Sequence, residues 1–377
     1  MLTAGNRWGK NAPAVALAWQ GNNALAKAQM ASGLVEQPQL SPDDLARAES
    51  MARSSLQREA LNPVALRILA VADIHRGNEQ RANQLLVLAE RFSRRDALTQ
   101  MLLIEARVSA NDIAGALQHY DRALRVSKSS AHILLPVLTS ATGDPAVREQ
   151  LRPMLARRPQ WLPLFVDELG RQKQIAPSIL LDLSYAMGLQ PSSEQDASLV
   201  QQMVGHMIRR GGYTAALTML GVGERRHNQV RNGSFEHSNM FPPFDWSFPN
   251  LGGWTASPGH VLDQGTQLEL RANYAAGGII AQQLLMLAPG RYALRYRTEQ
   301  SPIEESPKIR VLCRKSGKEH LIVEAPLASE GKPEGPMAIF TVPVSGCTEQ
   351  WVQIKGPPTS GRQERWIDDI SVIPVKG

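Results

Sequence analysis

Apolar residues recur every three to four positions up to about residue 226; beyond it the chain reads as short strands and turns, with Gln267–Arg271 alternating apolar and polar residues. The first pattern predicts helices. Pro13–Trp19 and Asn23–Val35 read as a first pair. Ser41-Pro42-Asp43-Asp44 supplies a cap, a proline for the first turn and two acids that favour the positive end of the helix Leu45–Arg58. Asn62-Pro63 opens the next. Between about 131 and 190, Asp144-Pro145, Arg158-Pro159 and Ala176-Pro177 each mark a helix start. Trp161, Leu164 and Phe165 form an i, i+3, i+4 face, which predicts core packing.

The second pattern predicts short strands at Val230–Glu236, Gln267–Arg271, Gly278–Leu285, Arg291–Thr298, Ile309–Cys313, Ala338–Val342, Trp351–Ile354 and Arg365–Val372. Gly252-Gly253 and Pro289-Gly290 are turn dipeptides. Strands of this length and spacing predict an antiparallel β-sandwich. The expected fold is therefore an α-solenoid over residues 1–226 and a β-sandwich over 229–377, with Gly221–Asn228 as linker.

The helical part repeats. Ala48, Ala82 and Ala116 lie 34 residues apart, and Ala89 and Ala123 keep the same interval. Small residues there let neighbouring helices approach while leucines fill the groove beside them. Leu66, Leu69, Ala70, Gly77, Ala82, Leu86 and Ala89, then Leu103, Ala116, Tyr120 and Ala123, resemble the tetratricopeptide (TPR) pattern, as do Gly211-Gly212-Tyr213, Ala216 and Leu220. The resemblance implies about six stacked helix pairs and a surface that docks a protein partner.

Charge adds one point. Residues 1–228 carry 26 Lys and Arg against 20 Asp and Glu, while 229–377 carry 15 of each. The basic excess belongs to the helices. No basic run is interleaved with aromatics, so nucleic acid is not an expected partner. Arg91-Phe92-Ser93-Arg94-Arg95, Arg157-Arg158 and Arg209-Arg210 read as helix-end charges, with a partner-facing surface as the alternative. No apolar run is long enough to span a membrane. Met1–Trp8 lacks a signal-peptide core, so an extracytoplasmic role implies a targeting segment not present in this chain. Cys313 and Cys347 lack a CxxC or a histidine cluster, which disfavours zinc. They read as a disulfide of an oxidising compartment, or as two reduced, buried thiols; a cytoplasmic home is the alternative.

Four motifs in order carry a second resemblance. They are Asn232-Gly233-Ser234-Phe235-Glu236, Gln282-Gln283-Leu284, Pro289-Gly290-Arg291-Tyr292-Ala293-Leu294 and Trp366-Ile367-Asp368-Asp369-Ile370-Ser371-Val372. The set resembles carbohydrate-binding modules of the galactose-binding-like jelly-roll type. With the helical repeats before it, the whole chain resembles bacterial envelope proteins associated with exopolysaccharide production, known chiefly from sphingomonad-type bacteria. That resemblance implies that Cys313 and Cys347 are paired. The jelly-roll resemblance implies a structural Ca²⁺ held by Glu236 with Asp368 or Asp369; the alternative is that these acids cap strand ends or pair with Arg365. No other cofactor is expected.

Sugar binding needs a flat aromatic face beside polar groups, and a loop aromatic is the usual supplier. Phe244, Trp246, Trp254 and Tyr274 are the candidates. The alternative is that Pro243–Trp246 folds back as a plug. Trp351 and Trp366, inside strands, are expected in the core. Catalysis is not expected. Glu304-Glu305 and Asp368-Asp369 are adjacent acids that a strand points to opposite faces, the histidines lack a triad or HExxH context, and GxSxG, P-loop and GxGxxG are missing.

Overall fold

The computed structural model describes residues 12–221, 229–261, 265–299, 306–315, 318–328 and 337–375. The predicted linker beyond Gly221, the Glu304-Glu305 pair and the chain start at Met1–Trp8 lie outside them. The chain divides into two compact units, with the break between Gly212 and Tyr213.

The first unit is helical. Its described elements are α1 (Pro13–Trp19), α2 (Ala24–Val35), α3 (Pro42–Leu56), α4 (Pro63–His75), α5 (Glu79–Phe92), α6 (Ala97–Ser109), α7 (Ile113–Val126), α8 (Lys128–Ala141), α9 (Pro145–Ala156), α10 (Leu162–Arg171), α11 (Pro177–Ala186) and α12 (Ala197–Ile208). Caps set the starts. Ser41 accepts from the Asp44 N–H at 3.0 Å, Asn62 from Val64 and Ala65, and Asp112 from Gly115 at 2.8 Å. The pairs α2–α3, α4–α5 and α6–α7 pack along their lengths, and α2 also touches α4, α8 touches α10 and α10 touches α12. Contact with the next helix and the next but one is how a stacked array buries its faces.

The 34-residue interval is visible in the backbone. The bounds of α4 and α6 differ by 34 at both ends, as do those of α5 and α7. The turns between them repeat too. Gly77 at φ 75° lets the Asn78 N–H reach Asp73 O at 2.8 Å, and Asn111 at φ 54° lets Asp112 reach Arg107 O at 2.8 Å. Each is a left-handed helix stop that satisfies an otherwise orphaned carbonyl. The notching alanines Ala48, Ala82, Ala89, Ala116 and Ala123 are all buried. Trp161 and Phe165 are buried edge to face at 5.8 Å, as expected, but Leu164 is half exposed and leaves that face.

Arginines cross-link the array. Buried Arg67 reaches Asp96 and Ser32, each at 2.8 Å. Arg210 donates to the Leu169 and Gln172 carbonyls at 2.8 Å, capping the end of α10. Glu49 on α3 is held by Arg53 one turn on and by Arg76 at the end of α4. The Arg76 hydrogen bond, then that of Arg53, lowers its carboxyl from 4.5 to about 2. A carboxyl depressed on folding stabilises fully above its unfolded pKa and ceases to do so as pH falls through the folded one. Glu49→Gln should therefore be less stable than wild type above pH 4.5, with the gap closing toward about pH 2. Urea midpoints across that window check it; a constant gap would mean an ordinary carboxyl.

The second unit begins with the short α13 (Tyr213–Met219). Among the described residues nine strands follow: β1 (Trp254–Val261), β2 (Gly265–Ala275), β3 (Gly278–Leu285), β4 (Gly290–Thr298), β5 (Lys308–Lys315), β6 (Lys318–Pro326), β7 (Met337–Val342), β8 (Gln350–Gly356) and β9 (Thr359–Pro374). They form a five-stranded sheet, β1-β2-β9-β4-β7, and a four-stranded sheet, β3-β8-β5-β6, with antiparallel pairing throughout. The core between them includes Leu268, Leu270, Leu294, Tyr296, Val311, Val352, Ile354, Ile367 and Val372. This is the expected helical region followed by a β-sandwich. One predicted strand is absent. Val230–Glu236 is a turn, because Asn232 and Phe235 sit at φ 50° and 57°, and the Asn232 side chain bonds both the N–H and the carbonyl of His237.

Candidate functional site

Three of the four expected platform aromatics are inside the molecule. Phe244, Trp246 and Trp254 are 1%, 1% and 0% exposed, so none offers a face to a ligand. The reason is local. The Asp245 carboxylate accepts from the Met240 and Phe241 N–H groups at 3.0 and 2.9 Å and from Arg231 at 2.7 Å, closing the loop into a tight turn. The loop then binds the edge of β3, with Leu284 N–H to Pro243 O at 2.7 Å and a bridge between Ser247 and Gln282. Trp246 packs on Phe235 at 5.6 Å within the sandwich core, and Phe244 meets Tyr213 of α13 edge-on at 6.3 Å.

The fourth is exposed. Tyr274 stands 75% open at φ 55°, at the irregularity in β2–β9 pairing between Asn273 and Ala275. A non-glycine residue in that conformation is uncommon and is often retained where function needs it. Beside it is a hollow rimmed by Arg271, Asn273, Arg362 and Glu364, with Gly253 and Thr255 from the adjoining edge.

Trp366 is the residue that the sequence reading misplaced. It pairs with Glu269, and the neighbouring pair Leu268–Ile367 points into the core, so Trp366 faces outward. It is half-buried rather than enclosed. The alternation of Ile367 against Trp366 carries that signal. Trp351, also expected in the core, is buried but on the outer side of the four-stranded sheet, with the Arg314 guanidinium 4.7 Å over its ring. The outward side of the five-stranded sheet thus presents Trp366 among Glu269, Arg271 and Glu364, grading into the hollow next to Tyr274.

The acids expected to hold Ca²⁺ have other partners. Glu236 accepts from Thr266 N and Oγ1 at 2.7 and 3.0 Å, which hold its carboxyl below the usual range. Asp368 and Asp369 both pair with Arg297 rather than with Arg365. Burial pushes the Asp368 carboxyl up, against the lowering effect of that arginine. Among the described residues no group of three or more His, Cys, Asp or Glu side chains is placed to hold a metal ion, so Glu236, Asp368 and Asp369 are not gathered into one such group. Cys313 and Cys347 are bonded, with their Cα atoms 5.5 Å apart, and both are buried. Among the described residues no helix is long and apolar enough to cross a membrane.

No family model matches this chain, and no curated protein does. Solved structures similar to its C-terminal part include carbohydrate-binding β-sandwich modules. A CBM4 module is 13% identical, with 39% of this chain and 99% of that one covered and a TM-score of 0.30. A family 16 module is 18% identical, with 39% and 99% covered and a TM-score of 0.27. A xylan-binding domain of CBM 22 is 14% identical, with 40% and 97% covered and a TM-score of 0.25. Likenesses at this level assign no ligand.

Proposed function

We propose that this is a non-enzymatic binding protein of the bacterial cell envelope. Its TPR-like helices dock a protein partner and its sandwich contacts a polysaccharide, during exopolysaccharide production or export. The observation that carries the polysaccharide reading is the outward face of the five-stranded sheet. There Trp366 is half-exposed in the row that holds Arg271, Asn273, Arg362 and Glu364, which offer directional donors and acceptors, and Tyr274 stands exposed next to Asn273. Aromatic surface with a few placed polar groups is what a sugar ring requires. The buried Cys313–Cys347 bridge supports an oxidising, extracytoplasmic setting.

Tyr274→Ala and Trp366→Ala should each weaken binding of the full chain to its glycan by about tenfold, equivalent to about 1.4 kcal/mol. Tyr274→Ala should leave the melting temperature within the small range of exposed-site substitutions. Affinity electrophoresis through a panel of acidic and neutral polysaccharides reads this. Retention by none of them, or equal retention of wild type and both variants, would defeat the reading. A second reading, a protein-interaction scaffold with a structural sandwich, then stands; burial of Phe244, Trp246 and Trp254 is the observation in its favour.

A further inference from the structure

The helical unit contains an open hollow lined about equally by apolar and polar side chains, and its two charged wall residues are both acidic. It is bounded by the end of α4, the first half of α5 and the second half of α6, and its volume is about 330 Å³. Ala82 and Leu86 form its buried floor and Leu102 and Ala106 its half-buried side. Glu79 and Glu105 stand on the wall, both exposed, and neither makes an ion pair or hydrogen bond among the described residues. This is unusual for the region. The surrounding acids Glu49, Asp73, Glu90 and Asp112 each hold an arginine, in a segment with an excess of basic residues. Exposed aliphatics flank the cavity at equivalent places in successive repeats, Ile74 at 40% and Val108 at 61% exposure.

We infer that this cavity takes an aliphatic side chain of a partner polypeptide, with a lysine or arginine of the same segment set against Glu79 and Glu105. Size selects the first part. The volume is at the low end for ligand pockets, roughly 300–1,000 Å³, which suits one branched side chain and its neighbour rather than a large ligand. Charge selects the second. Two unpaired carboxylates at the rim favour a cation and repel an acidic segment. The inference rests on the reading of the helices as a docking array and adds the chemistry of what they dock.

The test is selection of a random short-peptide library on the immobilised full chain, with the enriched peptides resynthesised and measured by fluorescence anisotropy. The expected result is enrichment of sequences pairing Leu, Ile or Val with a nearby Lys or Arg. Replacing either element, or introducing Glu105→Lys, should weaken them about tenfold or more, and raised salt should weaken them too. Glu105 is exposed and unpaired, so the variant should fold normally, and an unchanged circular dichroism melt checks that. Enriched peptides that lack the pairing, or that bind Glu105→Lys equally well, would overturn this inference while leaving a docking array in place. Failure to enrich any peptide would overturn both.

Discussion

Removing the Cys313–Cys347 bridge by paired alanine substitution is expected to destabilise the β-sandwich by about 4 kcal/mol. The bond spans 34 residues, enclosing β6 and β7 between β5 and the segment entering β8. Closing a loop of that length removes conformational freedom from the unfolded chain worth about 4 kcal/mol in the chain-entropy relation. The Cα atoms lie 5.5 Å apart, within the span of a disulfide. Cys313 already pairs with Gln350, three residues past Cys347, and the Gln350 amide donates to Cys347 O at 2.6 Å while accepting from Leu287 N–H at 2.8 Å. The same positions are therefore held together by backbone and side-chain bonds, and the variant should fold to the same sandwich with a lower margin. Urea unfolding followed by circular dichroism would show it as an earlier sheet transition. A shift below about 0.5 kcal/mol, or two reactive thiols in the native protein, would show that the bridge contributes nothing and would remove the argument for an oxidising compartment.

The helical half was readable because its punctuation is chemical and local. Ser41, Asn62 and Asp144 cap the helices they precede, and the prolines after them occupy the first turn, where their missing N–H costs nothing. In the β half, Gly278–Leu285, an apolar run bounded by glycine and the Pro289-Gly290 turn, has the same bounds in sequence and structure. The two missed strands are edges. β1 carries Ser257-Pro258-Gly259, which reads as a turn, but an edge strand has a free side on which proline is tolerated. β6 is exposed or half-exposed along its length, so little hydrophobic alternation marks it. The loop aromatics failed for a different reason. Exposure of Trp246 depends on whether Asp245 closes a turn over Phe241, and that depends on Arg231, fourteen residues earlier. Composition shows that aromatics are present in a loop, but not which way the loop folds. Trp366 was the reverse case: its phase against Ile367 was available, and its size suggested core.

Trp254→Ala is expected to destabilise the sandwich by about 3–5 kcal/mol, the range for a buried tryptophan reduced to alanine. Trp254 is fully buried at the start of β1, an edge of the five-stranded sheet. Its indole N–H donates to Pro357 O at 2.8 Å. That carbonyl lies in the connection between β8 of one sheet and β9 of the other, so the ring fastens an edge strand to the corner where the chain changes sheets. Gly356 explains how the ring fits: a Cβ there would lie 2.4 to 2.6 Å from indole Nε1, Cδ1 and Cε2. Gly356→Ala in the wild-type background should therefore cost about 1–3 kcal/mol through overpacking. In Trp254→Ala the ring is gone, and the added methyl should cost little or even refill part of the void. The double variant should then be more stable than the sum of the two losses by about 1 kcal/mol or more, a coupling that a double-mutant cycle measures directly. Trp254→Phe separates the hydrogen bond from the volume: leaving Pro357 O unpaired should cost less than the whole truncation. Additive losses for Trp254→Ala and Gly356→Ala would mean that the ring and the corner do not bear on each other.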